Sequence, residues 1–209
     1  MPSEYAKRKG RKVFTAKDVQ TLRQRTGAGM MECKRALQEN EGDMDKSAEY
    51  LRAKGIAKAG QRAGKQTSEG LISSYIHHNG KVGVIVEINC ETDFVARTDD
   101  FKTLAREIAL HIASAAPLAV DKDGIPEEKV AVERRIAEEQ ARASGKPEAI
   151  AKRIVEGKVE SYYKDNTLMN QPWIREPKKT VGDLVKEASA KVGENIQVRR
   201  FVRFQMGEE

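Results

Sequence analysis

Asp93 and Phe94 set a carboxylate beside a benzyl ring in the stretch Cys90-Glu91-Thr92-Asp93-Phe94-Val95-Ala96-Arg97. A loop held at both ends could present the pair to something outside the chain; the alternative is that Phe94 caps the local core and Asp93 helps a turn. The groups that would make the chain an enzyme are hard to assemble from the rest. Its histidines are His77, His78 and His111, its cysteines are Cys33 and Cys90, and no GxSxG, HExxH or CxxC occurs. Neither a nucleophile with its base nor a metal-ligand set takes shape from these. His77 and His78, adjacent on a strand, would point to opposite faces. GxxxxGK[ST] and GxGxxG are also missing, and Gly27-Ala28-Gly29 does not follow a strand, so direct nucleotide binding is not expected. The expectation is a non-enzyme that acts on a partner, with no metal and no cofactor.

The elements that must hold Asp93 and Phe94 are legible on both sides. Upstream, Val82, Val84, Val86, Ile88 and Cys90 alternate along a strand over Lys81 to Cys90. Downstream, Phe101, Leu104, Ile108, Ile112 and Ala115 recur at helical spacing from about Asp99 to Ala116, where Pro117 stops the helix. The acid and ring therefore sit in a loop fixed at both ends. Leu71 to His78 reads as a partner strand, joined through a two-residue Asn79-Gly80 turn. Asn195 to Met206 alternates Ile196, Val198, Val202, Phe204 and Met206 on one face against Arg199, Phe201 and Arg203 on the other. A third strand completes a small antiparallel sheet covered by helices on one face, an α+β core spanning 71–206.

Before the core, residues 1–14 read as a basic flexible arm. Thr15 and Asp18 make a capping pair for a helix carrying Val19 and Leu22, ended by Gly27-Ala28-Gly29. A second helix carries Met30, Cys33 and Leu37, and a third carries Met44, Ala48 and Leu51 before Gly55. These predict a compact three-helix module over 15–54, ubiquitin-associated-like (UBA-like), then a linker over 55–70 that holds basic residues and glycines without acids up to Ser68. Within the core, Glu127 to Lys164 predicts a projecting antiparallel hairpin of coiled-coil type broken at Ser144-Gly145-Lys146-Pro147. Its thin seam is Val132, Ile136, Ile150, Ile154 and Val155, with acid-first pairs at Glu138–Arg142 and Glu148–Lys152. Asn166 to Pro177 reads as a loop with Trp173 at the base of that arm. Thr180 and Asp183 cap a last helix ended by Gly193.

The net charge of +6 suits an acidic partner or an RNA-rich setting, but aromatics make up only 5% of the chain, which argues against a base-stacking surface. No run approaches the roughly 20 apolar residues of a membrane span and the N-terminus has no apolar signal region, so a cytoplasmic protein is expected.

Three stretches in this order resemble the bacterial elongation factor Ts family: Leu22 to Lys34 (LRQRTGAGMMECK), Asn89 to Ala96 (NCETDFVA) and Ser144 to Pro147 (SGKP). The resemblance implies a guanine nucleotide exchange factor for elongation factor Tu. By position, Thr92, Asp93, Phe94 and Val95 match the segment that dislodges the partner's magnesium ion. Leu22, Arg23, Gly27, Met30 and Met31 match the helical docking region. The family's long form has a duplicated core; this chain has one hairpin and one such loop, so it resembles the short form, and a homodimer is expected. Neither nucleic acid nor membrane is implied as a partner. Two other readings remain open on the residues alone: an RNA-binding accessory protein, from the charge, and a ubiquitin-associated-like adaptor, from the N-terminal helices.

Overall fold

The computed structural model describes residues 14–208. The predicted basic arm lies outside them, Phe14 apart. By internal contacts the chain forms two units: residues up to Lys65 together with Lys186–Asn195, and Gln66–Val185 together with the residues from Ile196 onward.

The first unit begins with α1 (Ala16–Thr26), α2 (Met30–Glu39) and α3 (Met44–Arg62). Thr15 and Asp18 close a reciprocal cap: Thr15 N–H donates to Asp18 Oδ2 at 2.7 Å and Asp18 N–H to Thr15 Oγ1 at 3.3 Å. The bonds that Thr15 donates to the Asp18 carboxylate, from its N–H and from Oγ1 at 2.8 Å, hold that carboxyl below the usual carboxylate range. Val19, Leu22, Cys33, Ala36, Leu37 and Leu51 converge as the core, the one place where three single apolar stripes can all leave water. α3 runs through Gly55 to Arg62, past the stop expected before Gly55. The cause is a tertiary partner. The C-terminal part of α8 (Val181–Val192) lies along this stretch, a Cβ at Gly55 would meet Ala190 Cβ at 3.0 Å, and Arg52 pairs with Glu187. Asn195 Nδ2 then ties down the end, donating to the carbonyls of Ala63 and Lys65 at 3.3 and 2.8 Å. Packing overrides the glycine and gives the basic stretch a helical form.

The second unit holds the three-stranded antiparallel sheet, with β2 (Val82–Cys90) between β1 (Glu69–Ile76) and β5 (Ile196–Gln205). The β1–β2 register is centred on Asn79-Gly80, as the spacing predicts, yet the ladder opens earlier. His77 N–H reaches Val82 O at 2.9 Å, Gly80 N–H turns back to His77 O at 2.8 Å, and of the two turn residues only Gly80 adopts a positive φ, +69°. Asn79 instead accepts the Lys81 N–H on its side chain, at 2.9 Å, so the two-residue turn gives way to a longer loop.

β5 carries a bulge. Val198 pairs with Ile88 and Arg200 with Glu87, leaving Arg199 as the extra residue. Beyond it the faces exchange relative to the simple alternation: Phe201 and Arg203 turn inward with Val86 and Val84, while Val202 and Phe204 turn outward. Arg203 thereby reaches the carbonyl of Ala113 from Nε and Nη2 at 3.4 Å, placing a cation at the C-terminal end of α5 (Asp99–Ala115), where the helix dipole favours it. On the outer face Arg200 pairs with Glu87 at 2.7 Å and holds that carboxyl below its usual range.

α5 covers the inner face, burying Phe101, Leu104, Ile108 and Ile112 against Val84, Val86, Ile88 and Cys90. A buried polar knot closes the far end of this core. The Ile174 N–H donates to His111 Nδ1 at 3.4 Å, His111 Nε2 meets Gln171 Oε1 at 3.0 Å, and Gln171 Nε2 donates to Ala115 O and Asp165 O. The segment read as a loop contains a short two-stranded ladder, β3 (Pro172–Trp173) with β4 (Glu176–Thr180), whose prolines and charges hide any alternation.

α6 (Glu127–Ala143) and α7 (Glu148–Asn166) form the antiparallel hairpin, with the break at Ser144–Pro147. Its seam keeps Ile154 and Val155 of the predicted five. Ala137, Ala141 and Val155 are buried with Ala151 and Ile154 against them, whereas Val132, Ile136 and Ile150 are exposed. Small side chains let the two backbones approach closely and leave the larger aliphatics outside. Arg134–Glu156 joins the helices, Lys122–Glu160 at 2.7 Å joins α7 to the segment before α6, and Glu148–Lys152 closes along α7 at 2.7 Å.

Candidate functional site: an acid and a ring on a capped turn

The stretch expected as a loop is a single helical turn, α4 (Asp93–Ala96). Thr92 is its cap, in extended conformation, with Oγ1 accepting the Val95 N–H at 3.5 Å. Below it the buried Cys90 donates its S–H to Thr92 O at 3.1 Å, which joins the last residue of β2 to the start of the turn. Thr98 is a second cap. Its Oγ1 accepts the Phe101 N–H at 3.3 Å to start α5 and donates to Val95 O at 2.8 Å to close α4. Two threonines therefore fix a turn whose geometry leaves little freedom.

Burial divides the turn by residue. Val95 and Ala96 face the core and anchor it, while Phe94 is 79% exposed. A phenylalanine packed on its own core is the ordinary outcome for this residue type; here the ring stands in water. The Asp93 carboxylate is partly exposed and its Oδ2 lies 2.8 Å from Arg97 Nη2. Of the four residues predicted for this segment, Asp93 and Phe94 present groups outward, and Thr92 and Val95 build the support. Arg97 was missed, although acid-first i, i+4 spacing from Asp93 could have found it once the turn is known to be helical.

The five residues predicted for docking belong to the first unit. Arg23, Met30 and Met31 are at the surface, Met31 with 70% of its area exposed. Gly27 ends α1 at φ +69° with its N–H on Arg23 O at 2.8 Å, so its role is to turn the chain from Arg23 toward Met30. Leu22 is fully buried in the module core and has no surface to offer. It lies 100° around the helix from Arg23 and supports that face from beneath.

Among the described residues no group of three or more His, Cys, Asp or Glu side chains is placed to hold a metal ion, and no helix is long and apolar enough to cross a membrane. Residues 16–208 match the family model described as Elongation factor TS. This chain belongs to the elongation factor Ts family. An Elongation factor Ts from Fervidobacterium nodosum is 54% identical over 195 residues, covering 93% of this chain and 99% of that protein. Those of Moorella thermoacetica and Thermosipho melanesiensis are each 50% identical over 196 residues, 94% of this chain and 97% and 100% of theirs. Membership in the family accords with the fold, in which N-terminal helices precede a three-stranded antiparallel sheet and further helices.

Proposed function

We propose that this chain is a guanine nucleotide exchange factor: it binds elongation factor Tu in its GDP form, displaces Mg2+ and promotes GDP release so that GTP can bind. The observation that carries this reading is Phe94, held 79% exposed on a turn whose other side is locked into the core. Linkage sets the mechanism. If the factor weakens GDP binding by some ratio, GDP weakens factor binding by the same ratio, so the factor must favour a state of the GTPase that holds metal and phosphates poorly. Burying the Phe94 ring in the partner supplies about 1.5–3 kcal/mol toward that state, and Asp93 enters beside it to disturb the polar shell of the ion. Arg23, Met30 and Met31 provide the separate docking contact. No covalent step is involved, and the cytoplasm, where translation elongation takes place, is the proposed location, without nucleic-acid or membrane binding.

Homodimerisation belongs to the same reading. The outer face of the sheet bears Ile72, Ile76, Ile85, Val202 and Phe204, with Ile76 at 67% and Phe204 at 65% exposure, and Met206 follows at its edge. A second copy presenting the same face would cover these apolar side chains by sheet-on-sheet packing about a two-fold axis.

The exchange reading is tested by stopped-flow release of labelled GDP from elongation factor Tu against excess unlabelled nucleotide. Release should accelerate and saturate with added protein, and high Mg2+ should oppose the acceleration. An unchanged release rate at saturating protein overturns it.

A further inference from the structure

We propose that Arg97 is the positioning residue of the Asp93–Phe94 turn: its guanidinium selects the direction in which the Asp93 carboxylate meets the partner. The role rests on the exchange reading above and deepens it. Asp93 is the first residue of α4, and Arg97 follows its last residue while keeping helical angles, φ −84° and ψ −13°. Four residues apart on a helical path, the two side chains lie one above the other, acid first, which is the favourable order. They close at 2.8 Å, Nη2 to Oδ2. Phe94 is 100° further around the same turn, so the ion pair draws the carboxylate along the axis and leaves the ring to project alone.

An ion pair this exposed contributes little to stability. The turn does not need it, since Thr92 and Thr98 cap it and Val95 and Ala96 anchor it. What the pair changes is the choice among the staggered rotamers open to Asp93. A carboxylate already held in one of three orientations meets its target without sorting through the other two. There is a second consequence, in charge. A nucleoside diphosphate bound in the partner's pocket carries negative phosphates, and a bare carboxylate approaches them against repulsion. A guanidinium 2.8 Å away offsets that charge until contact is made.

The test compares the wild type with Arg97→Ala, Arg97→Lys, Asp93→Asn and the Asp93→Asn/Arg97→Ala double variant. Three quantities are read: the saturating rate of labelled-GDP release from elongation factor Tu, the half-saturating concentration, and the Asp93 χ1 couplings by NMR in the free protein. Arg97→Ala should lower the saturating rate about two- to fivefold, the span expected of one exposed ion pair. The thermal midpoint should not move, Arg97→Lys should recover most of the rate, and the double variant should be no slower than Asp93→Asn. The couplings should report one dominant rotamer in the wild type and averaging in Arg97→Ala. Additive losses in the double variant, or averaged couplings already in the wild type, overturn the proposal. So does a loss in Arg97→Ala that appears only as a higher half-saturating concentration, which makes Arg97 a plain partner contact. Failure of the wild type to accelerate GDP release from elongation factor Tu instead removes the exchange reading, and this role with it.

Discussion

Phe94 has solvent around its ring while Val95 and Ala96, the next two residues on the same turn, are buried. Truncation at this position should therefore separate function from folding. Phe94→Ala is expected to leave the melting temperature unchanged and to reduce stimulation of GDP release about ten- to a hundredfold, the factor that corresponds to losing the burial of one ring. Stopped-flow rates at matched concentrations check it, and full stimulation by the variant would refute the role of the ring. His111 behaves in the opposite manner, because it is wholly inside. Burial pushes its pKa below the ordinary histidine value of 6.5. The unfolded chain then takes up a proton that the folded chain resists, so its stabilising contribution is complete above about pH 6.5 and declines as pH falls from there toward the lower native value. Thermal melts between pH 7 and pH 5 should fall more steeply for the wild type than for His111→Gln, and parallel slopes would show that another group is responsible. The two positions also mark what single residues disclose. Asp93-Phe94 stood out in the sequence because regular elements flank it, whereas Leu22 was placed in the docking region by resemblance alone, and its spacing with Val19 on the apolar stripe is what the burial matches.

Several elements followed the periodicity read from them. β2 and α5 match their apolar spacing closely, and the capping pairs Thr15/Asp18 and Thr180/Asp183 both form. Three departures share a cause, in that each depends on a neighbour the local sequence does not mention. α3 passes Gly55 because α8 lies against it; the bulge in β5 is invisible to a two-residue period; and the α6–α7 seam adds Ala137, Ala141 and Ala151 to Ile154 and Val155, alanines that a search for large apolar residues passes over. The last gives a paired prediction. Ala141→Leu should overpack the seam and lower stability by about 1–3 kcal/mol, while Ile136→Ser, on the exposed side, should stay within about 0.5 kcal/mol of the wild type. Denaturant unfolding of both variants decides it, and equal effects would mean that the two helices meet along a different line.

At the scale of the molecule, the three-stranded sheet with its open apolar face is the feature with the widest reach. Ile72, Ile76 and Ile85 were not singled out in the sequence, and the contiguity of the face emerges only when β5 brings Val202 and Phe204 alongside. Phe204→Glu should shift sedimentation equilibrium from dimer to monomer at micromolar concentration, and the wild type should show a melting temperature that rises with concentration. A wild type that is monomeric throughout would end the two-copy proposal and leave the exchange reading intact. The extra residue at Arg199 ties these scales together. Remove that one amino acid and every later side chain of the strand exchanges sides: Phe204 goes into the interior, and Arg203 comes out to greet the neighbour with charge. For a lineage of such proteins, a three-nucleotide change in gene length would be the most economical route between a sociable molecule and a solitary one.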